Sequence, residues 1–131
     1  MKTPVGIFLD RESLTVARWS DPLVEALGQP VRSPAVEREW LPVLGPSCLV
    51  MLRRFDVDLL AGPITYRLAE LGAALGIPGA RRRGHPLPRS MCRLIDFGAA
   101  RMCGDVLEVR SHLGRPPRRR PATAAEEAAA S

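Results

Sequence analysis

The stretch from Ile64 to Leu113 constrains this chain most. A short β-prone triplet, two amphipathic helical segments joined by an arginine-rich loop, and a tight hairpin follow one another there. The hairpin can be checked for internal consistency. If Gly104-Asp105 is a two-residue loop, Met102 faces Leu107 and Ala100 faces Val109 on one side, while Arg101 faces Glu108 on the other, and all three pairings are chemically sensible. Charge is concentrated in the same region. Residues 81 to 120 hold eleven Arg against Asp96, Asp105 and Glu108, a local net of +8, within a chain whose net charge is +5. Basicity confined to one segment suggests a surface that faces polyanions.

Outside this stretch the signals are shorter. Residues 4 to 19 alternate weakly (Val5, Ile7, Leu9, then Leu14 and Val16) around Asp10-Arg11-Glu12-Ser13, which predicts a β-hairpin. Ser20-Asp21-Pro22 opens a short helix to Leu27 that Gly28 would close in a left-handed conformation. Ser33-Pro34 repeats the opening for a helix through Trp40 or Leu41, interrupted at Pro42. Gly45-Pro46-Ser47 then starts the longest helix, to about Leu60, with Cys48, Met51, Leu52, Phe55 and Leu59 on one face. Val50 and Val57 point the other way. The reading preferred for them is cover by the chain's own N-terminal helix with Trp40, and a second subunit is the alternative.

Within the constraining stretch, Arg67 to Leu75 is expected to be helical, with Leu68, Leu71 and Leu75 inward and Gly76 as its stop. Residues 77 to 85, with Pro and two Gly, cannot be helical throughout. From Pro86 to Phe97 the pattern is helical again. Leu87, Met91, Leu94 and Ile95 face inward, Arg89, Cys92, Arg93 and Asp96 face outward, and Gly98 ends the helix. After Leu113 the chain becomes arginine- and proline-rich through Pro121, which predicts an extended, flexible basic arm, followed by an Ala-rich tail.

The order helix, strand, helix, helix, two-stranded wing resembles the winged helix-turn-helix superfamily over roughly Pro46 to Leu113. The run Glu39-Trp40-Leu41-Pro42-Val43-Leu44-Gly45-Pro46-Ser47, with Arg53-Arg54 and Asp96-Phe97-Gly98-Ala99, also looks like a family of functionally uncharacterised small proteins from high-GC bacteria. The superfamily resemblance implies an α+β, mainly α fold. It would comprise residues 1–45 as a helical or hairpin extension packing on or capping the core, 46–113 as the winged-helix domain, and 114–131 as arm and tail. It further implies that residues 86 to 97 form a recognition helix in the major groove of double-stranded DNA, as in a small transcriptional regulator. Arg89 and Arg93 would then read bases or phosphates, and Ser90, on the flank, would bind a phosphate. Arg81, Arg82 and Arg83 in the preceding loop, and Arg115, Arg118, Arg119 and Arg120 in the arm, would grip backbone phosphates. Asp105 at the hairpin tip is a departure, because a carboxylate there repels phosphate. The alternative is a winged-helix protein-interaction or dimerisation module that binds an acidic partner, since such folds serve both ends. A homodimer is left open.

Other function classes find little footing. His85 and His112 are far apart in sequence, no G-x-S-x-G, P-loop or G-x-G-x-x-G occurs, and neither an enzyme nor a cofactor is expected. Cys48, Cys92 and Cys103 form no C-x-x-C or Cys/His cluster, so three reduced thiols without metal are expected. Cys92, outward and near Arg89 and Arg93, is a candidate for a lowered pKa and redox sensing, although a small residue tolerated at a groove-facing position is the preferred reading. No apolar run reaches the length of a membrane span and Met1-Lys2-Thr3 leads into no signal peptide, so a cytoplasmic protein is expected.

Overall fold

A computed structural model describes residue 8 and residues 11–77 and 86–117. The chain is α+β. Its elements in order are β1 (Ser13–Arg18), α1 (Pro22–Leu27), β2 (Gln29–Pro30), α2 (Pro34–Leu44), α3 (Pro46–Asp58), a 3₁₀ turn (Leu59–Ala61), β3 (Ile64–Arg67), α4 (Leu68–Ala74), α5 (Pro86–Asp96), β4 (Ala100–Cys103), β5 (Val106–Val109) and β6 (His112–Leu113). A four-stranded sheet has the order β3-β1-β5-β4, and β2 pairs with β6 as a separate two-residue ribbon.

The β4–β5 hairpin takes the register expected from the sequence, with Ala100 opposite Val109, Arg101 opposite Glu108 and Met102 opposite Leu107. Gly104 supplies the positive φ of 60° that a two-residue loop needs at its first position. The strand β1 departs from expectation. In place of a hairpin within residues 4 to 19, it pairs antiparallel with β3 along one edge and parallel with β5 along the other. Residues 4–7 and 9–10, the expected first arm, lie outside the described residues. Alternation in β1 does what it predicts, since Leu14 and Val16 are fully buried. Its neighbours are set by tertiary packing, and a segment from residues 1–45 thereby becomes an inner strand of the main sheet.

Helices α3, α4 and α5 contact the main sheet, and their buried side chains share one core cluster with Leu14, Val16, Leu107 and Val109. On α3, Cys48, Met51, Leu52, Phe55 and then Leu59 are buried, as the 3.6-residue period requires. The helix itself ends at Asp58, and the last residues tighten into the 3₁₀ turn. Val50 and Val57 stay uncovered, 53 % and 44 % exposed, because α2 turns Val36, Trp40 and Leu44 into the core on another side of α3. Cover by the N-terminal helix is therefore not what the chain uses.

Two further expectations are corrected. Helix α2 does not stop at Pro42 but runs through it to Leu44. Proline near a C-terminal end forfeits one amide bond, and here burial of Trp40 and Leu44, the bond from Gly45 N–H to the Leu41 carbonyl and a guanidinium on the Val43 carbonyl hold the last turn. Gly28 follows α1 with φ −87°, not left-handed. Its role is close approach, because a Cβ there would sit 2.7 Å from the Val24 carbonyl oxygen and 2.8 Å from that of Leu113. The start of the arm is also tied down, since Trp40 Nε1 donates to the Gly114 carbonyl at 2.9 Å.

Candidate nucleic-acid interface

Helix α5 meets α3 on one side and leads into β4 on the other. Leu87, Met91 and Leu94 are fully buried and Ile95 partly, as the inward stripe predicts. The buried arc is wider than that stripe, however. Ser90 lies inside it, and its carbonyl accepts the Cys48 thiol at 3.4 Å, so Ser90 is not placed to bind a phosphate. Cys92 is buried as well, and its thiol is pushed up to about 11, first by burial and then by the neighbouring Asp96 charge. That is the reverse of the exposed, acidified thiol that redox sensing needs. Small side chains carry no periodic signal of their own, which is why the sequence put Cys92 on the outward face and Ser90 on its flank.

The arc leaves Arg89, Arg93 and Asp96 exposed, at i, i+4 and i+7 on a single stripe. Arg93 is also held within the fold. Its Nη2 and Nε donate to the Val43 carbonyl at 2.8 and 3.3 Å, and its guanidinium lies 5.6 Å from the Phe97 ring centroid. A cation placed on the free carbonyls at a helix C-terminus is stabilising, and here it fastens the end of α2 to α5. Gly98, at φ 77°, ends α5 as expected.

Beyond Gly98 lies a second arginine cluster that the sequence did not single out. Arg101 and Arg110 stand over the Trp19 ring, 4.3 and 3.5 Å from its centroid. Arg110 donates from Nε to the Gly98 carbonyl and from Nη1 to Asp21, both at 2.8 Å, and this bond is the first cause holding the Asp21 carboxyl below its usual range. Arg101 pairs with Glu108 at 2.7 Å. Hairpin register placed Arg101 beside Glu108, but Trp19 reaches both arginines only because β1 runs parallel to β5, with Trp19 N–H bonded to the Val109 carbonyl at 2.8 Å. No local pattern announces that pairing.

At the hairpin tip Asp105 is almost fully exposed and accepts from Arg11 at 3.4 Å. Arg115 is exposed at the start of the arm. Arg81, Arg82, Arg83, Arg118, Arg119 and Arg120 lie outside the described residues. Among the described residues no three His, Cys, Asp or Glu side chains gather as a metal-binding group, and no helix is long and apolar enough to cross a membrane. Compared with family models, with curated proteins and with solved structures, the chain finds no match.

Proposed function

We propose that this chain binds double-stranded DNA, with α5 as the element that enters the major groove, in the manner of a winged helix-turn-helix regulator. The observation that carries the reading is the stripe of Arg89 and Arg93, exposed on a helix that Leu87, Ser90, Met91, Cys92 and Leu94 anchor by burial. A rigid helix presenting guanidiniums four residues apart suits contact with base edges or phosphates, because each guanidinium forms a planar fork. The element order α3, β3, α4, α5 and hairpin adds support. The sheet differs from the resemblance in one respect, since β1 lies between β3 and the hairpin. The arginine triplet Arg81, Arg82 and Arg83 precedes α5 by two residues in the chain and supplies phosphate contacts in this reading, as do the arm arginines.

The test is duplex affinity across a salt series. An interface neutralising about five phosphates gives a log-log slope of about −4 to −5. Replacing Arg81, Arg82 and Arg83 together should weaken binding to all sequences about equally. Absence of measurable duplex affinity at low salt refutes the proposal and leaves the protein-interaction reading.

A further inference from the structure

The outer face of α3 and the C-terminal end of α4 border an open, shallow groove of about 440 Å³. Val50 and Val57 form its floor, two helical turns or about 10 Å apart along the axis, and Ala74 and Leu75 form a wall. Three arginines rim it, and they are not equivalent. Arg53 is held through all three nitrogens, donating to the Val31 and Ser33 carbonyls and to Glu37 at 3.0 to 3.2 Å. Arg32 and Arg54 are each fixed by Nε alone, to Asp56 at 2.8 Å and to Asp58 at 3.0 Å, and Asp58 is itself held by the Tyr66 hydroxyl at 2.7 Å. Both side chains are half exposed, and their Nη groups make no hydrogen bond among the described residues. The result is two oriented guanidinium forks beside an open apolar floor.

We infer that this groove seats an amphipathic helix of a partner protein, with apolar residues at i, i+3 or i+4 and i+7 on the valine floor and acidic residues on its flank paired with Arg32 and Arg54. The valine spacing matches one stripe of a docked helix. Floor residues about half exposed would leave a small molecule partly in water, whereas a helix about 10–12 Å across covers them. Oriented forks with unused Nη donors select carboxylates. A second copy of this chain fits less well, because a two-fold contact on this face would set Arg32, Arg53 and Arg54 against the same arginines. The inference is independent of DNA binding, since no groove residue belongs to α5.

The probe is a synthetic helical peptide of about 16 residues, or roughly four turns, carrying Leu on one stripe and Glu on its flanks. A matched peptide carries Lys for Glu. Each is titrated into ¹⁵N-labelled full chain. The expected result is saturable amide shifts at Val50, Arg54, Val57 and Ala74, with the Lys peptide at least about tenfold weaker. A comparable loss is expected in Val50→Ser/Val57→Ser, whose exposed positions leave the fold intact and whose duplex affinity should match wild type. Arg32→Gln/Arg54→Gln, checked for an intact fold by its spectrum, should remove the preference for Glu over Lys. Four results overturn the inference: no shift at millimolar peptide, equal binding of both peptides, the same shifts from octanoate at equal concentration, or a dimer in light scattering that Val50→Ser/Val57→Ser abolishes.

Discussion

Replacing Asp56 tests how the sheet is fastened to α3. Its side chain is 10 % exposed and accepts from Arg18 Nη1 and from Arg32 Nε, while Arg18 Nη2 also reaches the Asp56 carbonyl at 3.3 Å. One carboxylate thus ties the end of β1 and the chain after β2 to the last turn of α3. Removing one member of a buried charged pair costs about 3–5 kcal/mol, because the partner is left desolvated and unpaired. Here the partners are 29 % and 50 % exposed and can turn towards water, which moves the expectation for Asp56→Ala to the low end, about 3 kcal/mol. For a domain of this size that lowers the thermal midpoint by about 10–15 °C. Arg32→Ala should cost only about 0.5–1 kcal/mol, since its guanidinium is half solvated and Arg18 still neutralises the carboxylate. Urea unfolding of wild type, Asp56→Ala, Asp56→Asn and Arg32→Ala measures these differences, with unchanged m-values as the condition for comparing them. An Asp56→Ala protein as stable as Arg32→Ala would refute the view that this carboxylate is the fastening point.

Other outcomes follow from single contacts. Gly28→Ala should destabilise by about 1–3 kcal/mol, because the new methyl meets two backbone carbonyls that cannot swing aside; an unchanged or raised thermal midpoint would contradict the close approach. The Asp21 carboxyl is held below its ordinary value of 3.8, chiefly by Arg110, so its contribution to stability is complete above that value and lost as pH falls through the lower folded-state value. Asp21→Asn should therefore lower the midpoint at neutral pH and converge on wild type in strong acid, and a difference constant with pH would contradict it. Native protein at pH 8 should release one fast thiol equivalent with a disulfide reagent, from exposed Cys103, and three in denaturant; labelling of Cys92 as fast as Cys103 would show its burial to be wrong.

What the sequence made legible was local. Hairpin register follows from period-two alternation around a Gly-Asp turn, and the inward stripes of α3 and α5 follow from large apolar side chains at the helical period. The neighbours of β1 did not, because Leu14 and Val16 specify a buried face and say nothing of which edge pairs with which strand. The same limit hid the Trp19, Arg101 and Arg110 cluster, in which Trp19 lies over 80 residues from both arginines in the chain. Ser90 and Cys92 were misplaced for a different reason. A helix buried on most of its circumference admits small residues at its flanks, so among the described side chains of α5 Arg89, Arg93 and Asp96 define the exposed stripe. Pro42 misled because a rule for helix interiors was applied in a last turn that Arg93 secures from another element.

Arg93 has work inside the fold, so Arg89 gives the cleaner test of the proposed DNA interface. Fluorescence anisotropy of a labelled duplex, titrated with wild type and with Arg89→Ala over the same salt series, measures it directly. The account predicts equal thermal midpoints for the two proteins and a loss of affinity of about 5- to 100-fold for Arg89→Ala, the range of one good guanidinium contact to a base or phosphate. Equal affinity of the two proteins for duplex, with the salt dependence of wild type retained, would contradict it and move the interface off α5.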